Sequence, residues 1–268
     1  MPSEPTLAAA TSRGATTSEN GVPVDVPRRV TRPTGVVDLL DWDADLAQAL
    51  RASPGGGAPP QVMAPMVSLP RGPWQAPRRA EPLALGLLVL DGLLIRRISY
   101  GRAFCGELLG PGDLLRPWLE DGEGIVGPRV GWRVLEPARL ALLNGGVGKL
   151  CASHPEVVGE LLNRALVRGR RQGILNAIAA TNRIDERVLL LFGHIAERWG
   201  RVTGTGILIA LPFTHAVIAE LIGARRPTVT TVLSELRHAG ALERRGEGWM
   251  LTKTGRVRLD VLAQASLD

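Results

Sequence analysis

The chain is short of cysteine and of long apolar runs. Its two cysteines, Cys105 and Cys151, are too few for a disulfide scaffold, and no C-x-x-C pair is present to bind zinc or an iron–sulfur cluster. We therefore expect both to be reduced thiols. No apolar run approaches the roughly 18 residues of a membrane span, and the N-terminus lacks the charged-then-apolar profile of a signal peptide. These absences predict a cytoplasmic protein with no membrane partner.

The motifs of common enzymes are also missing. The sequence contains no G-x-S-x-G, no phosphate-cradling G-x-x-x-x-G-K and no H-E-x-x-H. Asp41, Asp43 and Asp45 alternate within a short predicted helix, where an exposed acidic face explains them better than a paired-carboxylate site. None of the four histidines forms a pair with metal-ligand spacing. We predict that the protein is not an enzyme, and the sequence identifies no certain cofactor and no metal.

The basic residues are almost all arginine, since lysine occurs only at Lys149 and Lys253. The chain has 268 residues and a formal net charge of +6, which favours an anionic partner such as nucleic acid. A GC-rich genome produces the same skew from lysine to arginine, so the charge alone leaves both explanations open. Hydrophobic residues make up 45% of the sequence, which is enough to build a packed core.

The composition and the hydrophobic periodicity of the sequence change twice within the first 60 residues. Residues 1–35 are rich in Pro, Ser, Thr, Gly and Ala without hydrophobic periodicity, which predicts a flexible tail. From Val36 to Leu50, apolar residues recur at helical spacing and predict a short amphipathic helix. The Gly- and Pro-rich segment from Ser53 to Pro60 then interrupts the chain.

Residues 63–143 contain short apolar runs separated by turn dipeptides. Asp91-Gly92 predicts a hairpin, because a type I′ turn requires two positive φ angles. Gly110-Pro-Gly-Asp113 predicts the end of a later strand. The strands that this pattern predicts are Leu83–Leu90, Leu93–Ile98, Phe104–Leu109, Val130–Leu135 and Arg139–Leu143. Short strands without a long helix between them indicate an antiparallel roll or barrel.

A long helix is predicted after these strands. Ser153 is the expected cap, Pro155 is tolerated in the first turn, and Glu156 suits the positive end of the helix dipole. Helical patterning then continues past Ala180. The apolar stripe of this helix comprises Val158, Leu161, Leu162, Ala165, Leu166 and Ile174. Such a helix is too long to bury inside one small domain, so we expect a partner helix.

Two further features concern helix packing. Gly169 and Gly173 would let two backbones approach closely, although two tolerated glycines without a role explain the pattern equally well. A separate helix is predicted from Ile184 to Trp199. Its inward side chains are predicted to be Val188, Leu189, Leu191, Phe192 and Ile195.

The most specific pattern lies between Leu211 and Leu236. Thr214 is the predicted N-cap of one short helix, Gly223 supplies a tight turn, and a second helix follows. Two short helices joined in this way form a helix-turn-helix, whose second helix enters the major groove of DNA. The outward positions of that second helix are predicted to be Arg225, Arg226, Thr228, Thr230, Thr231 and Ser234.

These outward residues carry the chemistry that DNA recognition requires. Arginine binds guanine edges, and short hydroxyl side chains bind phosphates or contact a thymine methyl group. Two strands joined by a Gly-rich turn follow and predict a wing, where Arg244 and Arg245 are candidates for phosphate contacts. The predicted partner is duplex DNA. A winged helix that contacts only proteins is the alternative, and the two arginines at the start of the second helix argue against it.

The predicted helix-turn-helix and wing together resemble the C-terminal domain of the Crp/Fnr family. The resemblance is most specific at Thr214-His-Ala-Val-Ile-Ala-Glu-Leu-Ile-Gly223 and Arg226-Pro-Thr-Val229. The resemblance implies that Arg226 contacts guanine and that Thr214 and Thr228 contact phosphate. Many members carry a base-reading glutamate where this chain has Pro227. We therefore expect an operator that differs from the best-known family site.

The resemblance also implies an α+β fold. In this order the chain would form a flexible tail over 1–35, an antiparallel β-roll effector domain like a cyclic-nucleotide-binding domain over 36–148, a long dimerisation helix and the following helix over 149–203, and a winged helix-turn-helix over 204–268.

The effector pocket departs from the family pattern. Cyclic-nucleotide-binding relatives carry a Gly-Glu pair after the turn that matches Gly112-Asp113, and the glutamate holds the ribose. This chain has Leu115-Arg116-Pro117-Trp118 there. Arg129 falls near the expected phosphate-binding arginine without the rest of its motif. Arg116 and Arg129 are candidates for an anionic effector, although ordinary surface arginines explain them better. Cyclic AMP is not expected through the usual contacts, and another nucleotide or small effector is left open.

Two hypotheses follow. In the first, a homodimer binds a near-palindromic operator, responds to an unidentified effector and, if it activates transcription, contacts RNA polymerase. In the second, the roll no longer binds a nucleotide. The protein is then an architectural or partner-controlled regulator.

Overall fold

The N-terminal half of the chain is built mainly from antiparallel strands, and the C-terminal half mainly from helices. The computed structural model describes residues 33–51, 61–79, 83–119 and 127–264. The predicted break at Ser53–Pro60 and residues 1–32 of the predicted tail lie outside these ranges, whereas Gly35 already belongs to a strand.

The strands and helices follow one another in a simple order. They are β1 (Gly35–Asp38), α1 (Leu39–Trp42), α2 (Ala44–Arg51), β2 (Met63–Leu69), β3 (Gly72–Trp74), β4 (Gly86–Tyr100), β5 (Ala103–Leu109), β6 (Leu114–Leu115), a 3-10 turn (Pro117–Leu119), β7 (Arg129–Leu143), α3 (Gly145–Ser153), α4 (Pro155–Ala180), α5 (Ile184–Trp199), β8 (Gly200–Val202), β9 (Gly206–Ile209), α6 (His215–Leu221), α7 (Arg226–His238), β10 (Leu242–Arg245), β11 (Gly248–Thr252) and α8 (Lys253–Gln264).

The first seven strands form one antiparallel sheet in the order β1-β2-β7-β4-β5, with β3 on β7 and β6 on β4. The last four form a second sheet in the order β10-β11-β9-β8. An antiparallel sheet followed by a long helix and a helix-turn-helix confirms the predicted α+β class.

The predicted hairpin at Asp91-Gly92 is wrong, because β4 continues through it. Its pairing with β7 shifts register around these two residues, which marks a β-bulge. Gly92 has φ +85°, and a Cβ there would collide with the backbone of Pro137 and Ala138. The Asp91 carboxylate accepts from the Arg139 backbone N–H at 3.0 Å and pairs with its guanidinium. The positive φ therefore serves a bulge and not a turn.

The strand opposite shows the same continuity. Val130–Leu135 and Arg139–Leu143, predicted as two strands, form the single strand β7. Pro137 is accommodated because it lies at the bulge, where a ladder hydrogen bond is not required. The prediction of β5 as a strand over Phe104–Leu109 is confirmed.

The predicted helix from Val36 to Leu50 is only partly correct. Its first residues form β1, because β2 offers them an antiparallel partner, and α1 and α2 follow. Asp43 is also not part of an exposed acidic face. Its carboxylate accepts from the Leu46 backbone N–H at 3.0 Å and pairs with the Arg164 guanidinium. Asp45 is exposed as predicted.

The long helix is confirmed as α4, which has 26 residues. Pro155 and Glu156 occupy its first turn, but Ser153 does not cap it. Ser153 ends α3 and donates its hydroxyl proton to the Lys149 carbonyl, while His154 occupies the N-cap position of α4 and its side chain makes no capping hydrogen bond there. The prediction of α5 and of its buried residues is confirmed, since Val188, Leu189, Leu191, Phe192 and Ile195 are all buried.

One face of α4 is fastened to the roll by arginines at successive turns. Arg164 pairs with Asp43, Arg168 pairs with Glu107 on β5, and Arg171 pairs with Asp113 in the turn after β5. Asp113 also binds Arg198 of α5 at 2.8 Å. The sheet, α4 and α5 are therefore joined through buried ion pairs.

The opposite face of α4 is exposed along its whole length. Its positions recur in alternating steps of three and four residues, which is the spacing of a coiled-coil seam. These exposed positions are Gly159, Leu162, Leu166, Gly169, Gly173, Asn176 and Ala180. The predicted apolar stripe is consequently divided, because Leu161 packs against the roll while Leu162 and Leu166 do not.

Candidate DNA-binding surface

The first helix of the motif, α6, begins at a side-chain cap. Thr214 Oγ1 accepts from the Val217 backbone N–H at 3.3 Å, so the predicted N-cap is confirmed. The apolar face of α6 is buried as predicted, with Val217, Ile218, Leu221 and Ile222 in the core of the C-terminal domain.

The turn depends on Gly223, whose φ of +64° is one that glycine adopts at low cost. After it, α7 begins at Arg226 with Pro227 in the first turn. The predicted inward residues Val229, Val232, Leu233 and Leu236 are all buried. Together these contacts hold α7 with one face packed and the other in solvent.

The outward face of α7 has the composition that the sequence predicts. Arg225, Arg226, Thr228, Thr230, Thr231 and Ser234 are all exposed. Two of the hydroxyls are already used within the helix, because Thr230 donates to the Arg226 carbonyl at 3.0 Å and Thr231 to the Pro227 carbonyl at 3.4 Å. Thr230 and Thr231 therefore present a methyl group and an acceptor oxygen rather than a donor.

The wing is formed by β10 and β11, in which Arg245 pairs with Gly248. The turn between the two strands contains Gly246, whose φ is +57°. Trp249 is buried beneath it, and its indole N–H donates to the Phe213 carbonyl at 3.0 Å. Arg244 stacks 5.0 Å from the Trp249 ring and donates to the same carbonyl at 3.0 Å. Arg245 pairs with Glu243 at 2.6 Å. Both wing arginines thus have protein partners, and Arg244 helps to fix the wing to the start of α6.

The β-roll contacts the helix-turn-helix directly. A Cβ on Gly106 of β5 would lie 3.1 Å from the backbone of Glu220 in α6, and the Arg133 guanidinium of β7 pairs with the Glu220 carboxylate. A Cβ on Gly223 would lie 2.9 Å from the Phe104 carbonyl. Because the backbones approach so closely, the DNA-facing domain is positioned by the roll as well as by α5.

Residues 186–258 match the model of the Crp-like helix-turn-helix domain. The regulatory protein CysR of Synechococcus elongatus is 36% identical over 161 residues, which cover 57% of this chain and 69% of the relative. This chain belongs to the Crp/Fnr family of transcriptional regulators. A CRP-like cAMP-activated global transcriptional regulator of Mycobacterium tuberculosis is 25% identical over 167 residues, covering 60% of this chain and 72% of the relative.

Solved Crp/Fnr structures share the fold. FixK2 from Bradyrhizobium japonicum superposes with a TM-score of 0.57 at 20% identity, covering 73% of this chain and 96% of that one. The c-di-GMP responsive regulator CLP of Xanthomonas campestris superposes with a TM-score of 0.55 at 16% identity, covering 78% and 99%. At these identities the likeness shows the architecture alone.

The two effector candidates of this Crp/Fnr chain are not brought together. Leu115, next to Arg116, pairs with Leu87, whereas Arg129 pairs with Ser99 at the other end of β4. Both arginines are exposed. Leu115 is fully buried in the core of the roll. Three tryptophans belong to the same core or pack against it, namely Trp74, Trp118 and Trp132. The two arginines are therefore at opposite ends of β4, and each stays a separate candidate for contact with an anionic effector.

Sequence reasoning missed several residues that matter for the site. His215, at the start of α6, lies with its Nδ1 3.0 Å from Thr230 Oγ1 of α7. Glu220 and Asp113 connect the domains through ion pairs. The regular spacing of Arg164, Arg168 and Arg171 was a usable signal for carboxylate partners, but their identity depends on long-range packing.

In the described part of the chain, no helix is long and apolar enough to cross a membrane, and no group of three His, Cys, Asp or Glu side chains could hold a metal ion.

Proposed function

We propose that this Crp/Fnr regulator works in the cytoplasm as a homodimer that binds a near-palindromic DNA operator. The observation that carries the proposal is the exposed pair Arg225 and Arg226 at the start of α7, a helix whose opposite face is buried. A helix held in this way can enter the major groove with its N-terminal residues at the base edges. If the protein acts as an activator, we infer that the bound dimer contacts RNA polymerase.

The exposed seam of α4 supports the dimer. Leu162 and Leu166 are 58% and 65% exposed, which is unusual for leucines in the middle of a helix packed on a sheet. Gly169 and Gly173 have no neighbour within 4 Å of an added Cβ, so a second backbone has room to approach. Asn176 is a polar residue in the seam, a type that fixes register in coiled coils. Pairing two copies would set two α7 helices about 34 Å apart, near one turn of DNA.

The roles proposed for individual residues follow from their positions. Arg226 binds guanine, and Thr214 and Thr228 bind phosphates. Arg225 and Ser234 lie beside the same bases or phosphates, and the methyl groups of Thr230 and Thr231 suit thymine. Arg244 and Arg245 would add wing contacts to phosphate once they leave or share their present partners.

Arg226→Ala tests this proposal. We expect the operator recovered by selection from a random duplex library to bind the variant about 30-fold to 10⁴-fold more weakly, since each of the two half-sites loses one bidentate arginine–guanine pair worth about 1–3 kcal/mol. The variant should also lose discrimination at one base pair of each half-site. Fluorescence anisotropy on the operator and on single-base variants measures both.

Arg245→Ala is the matched control, because it removes a proposed phosphate contact. It should weaken binding to every duplex by a similar factor and lower the salt dependence. If Arg226→Ala behaved in the same way, with base discrimination intact, the role of Arg226 as a base reader would be refuted.

A second candidate function, control without a nucleotide, is favoured by the roll itself. The roll carries Leu115-Arg116-Pro117-Trp118 in the stretch where the family resemblance implies a Gly-Glu pair, and Arg116 and Arg129 lie apart. We propose that cyclic AMP does not bind through the usual family contacts. Regulation would then come from another small effector or from a protein partner.

Thermal unfolding with cyclic AMP, cyclic GMP and cyclic dinucleotides tests this point. A ligand present at 100 times its Kd stabilises a protein by about 2.7 kcal/mol, which shifts the Tm of a chain of this size by several degrees, about 5–10 °C. We expect no such shift. A clear shift with any of these nucleotides would exclude the version without a nucleotide, and its loss in Arg129→Ala would restore Arg129 as a ligand residue.

A further inference from the structure

His215 lies between the two helices of the helix-turn-helix on their solvent side. It is the first residue of α6, directly after the Thr214 cap, and its Nδ1 is 3.0 Å from Thr230 Oγ1 on the outward face of α7. The centroid of its ring is 6.1 Å from that of Trp249 beneath the wing. The imidazole therefore touches α7 and lies near the base of the wing.

The hydrogen-bond partners of Thr230 assign a proton to one of the two ring nitrogens of His215. Thr230 has one hydroxyl hydrogen, and it donates this hydrogen to the Arg226 carbonyl at 3.0 Å. With that bond made, the hydroxyl oxygen accepts from His215, which assigns the proton of the neutral ring to Nδ1. In the neutral imidazole, Nε2 consequently has a bare lone pair.

The charges around this ring have one sign. The groups that act on it in the described part of the chain are Arg226 and Arg237 from α7 and Arg244 from β10. Burial and these three arginines lower the pKa of His215. The imidazole is therefore neutral in the free protein at neutral pH, and it lies within a positive surface that attracts phosphate.

We propose that His215 is a contact to the DNA backbone: on the operator, Nε2 takes up a proton from solvent and donates it in a hydrogen bond to a phosphate oxygen. This inference rests on the proposed binding of DNA by α7. A neutral Nε2 offers a phosphate only a lone pair, whereas the imidazolium donates from both nitrogens and keeps its bond to Thr230. The phosphate also places a negative charge beside the ring, and this charge favours the imidazolium that the surrounding arginines disfavour.

Binding is then linked to protons with a definite sign. DNA raises the affinity of His215 for a proton, so the operator binds more tightly as the pH falls through the histidine range. Each proton taken up changes the binding constant by at most about tenfold per pH unit, so a dimer that takes up one proton per protomer changes it by at most about 100-fold per pH unit. A base contact by the neutral ring, with Nε2 accepting from adenine or cytosine, gives the opposite trend.

The test is the affinity of the full-length protein for a labelled duplex that carries the selected operator, measured by fluorescence anisotropy at constant ionic strength. We expect the wild-type protein to bind at least about fivefold more tightly at about pH 6 than at about pH 8. His215→Gln should reduce this ratio to near one. His215→Arg, which carries a permanent charge, should bind tightly at both values without the pH dependence.

His238→Gln is the matched control. His238 lies at the other end of α7, where its Nδ1 is 2.9 Å from the Ser234 carbonyl, and its loss should leave the wild-type ratio unchanged. A wild-type affinity that is independent of pH or rises with pH overturns the proposal, as does pH dependence that persists in His215→Gln. Failure of the wild-type protein to bind any selected duplex overturns the proposed function and this inference with it.

Discussion

Asp113→Asn is expected to unfold at a much lower urea concentration than the wild-type protein. The Asp113 side chain is 2% exposed and binds Arg171 at 3.0 Å and Arg198 at 2.8 Å. Burial lowers the pKa of Arg198, and the Asp113 carboxylate opposes that effect. Asparagine leaves both guanidinium groups without this counter-charge, and removing one partner of a buried ion pair costs about 3–5 kcal/mol. We expect the free energy of unfolding to fall by about that amount.

Glu243→Gln is the control for this measurement. Glu243 and Arg245 form an ion pair on the wing in which both side chains are about half exposed, and exposed pairs contribute about 0–1 kcal/mol. The two variants should be compared at one protein concentration, because the stability of a dimer depends on it. If Asp113→Asn lowers the free energy of unfolding by less than about 1 kcal/mol, Arg171 and Arg198 find other partners or water. The prediction that Asp113 is essential to this cluster would then be wrong.

The position of Asp113 gives this ion-pair cluster a meaning beyond stability. The carboxylate also accepts from the Gly110 backbone N–H at 2.9 Å, so it holds the turn after β5 in place. Arg171 comes from α4 and Arg198 from α5, which leads into the DNA-binding domain. One buried charge thus connects the roll, the proposed dimer helix and the DNA-facing domain. If that domain rotates against the roll, the ion pairs of Asp113 with Arg171 and Arg198 must either break or move together with the domain.

Features that depend on neighbouring residues could be predicted from the sequence. The Thr214 cap, the Gly223 turn and the buried face of α7 are set within one supersecondary unit, and all three are confirmed. The buried residues of α5 follow from helical periodicity in the same way. The outward face of α7 was predictable for the same reason, because the residues that pack inward determine which residues remain outside.

Features that depend on distant residues were missed. Asp91-Gly92 has the local chemistry of a hairpin, but β4 pairs with β7 on both sides of these residues and therefore continues as a bulged strand. Val36 lies in a segment with helical apolar spacing, yet it forms a strand because β2 pairs with it. The bond between His215 and Thr230 joins residues on two helices, and no periodicity indicates it. In each case a tertiary partner overrides the local pattern.

Leu162→Glu combined with Leu166→Glu is expected to convert the protein into a monomer. The two leucines lie at successive positions of the exposed seam of α4, so a dimer would bury four carboxylates without partners. Binding to the operator should weaken by about 100-fold or more, since two linked recognition helices gain about 10²–10⁴ over one. Light scattering coupled to size exclusion gives the mass, and anisotropy on the selected operator gives the affinity.

The chain offers a matched control for this double variant. Val257 and Val261 of α8 are also exposed apolar residues one helical turn apart, at 63% and 61%, but they lie outside α4. Val257→Glu with Val261→Glu should therefore leave both the mass and the operator affinity unchanged. Since Leu162 and Leu166 are exposed in a single chain, their replacement should not unfold the protomer, which circular dichroism checks. A dimeric mass for the α4 variant would refute the seam, and a monomer that still binds the full operator tightly would refute the coupling of two α7 helices through it.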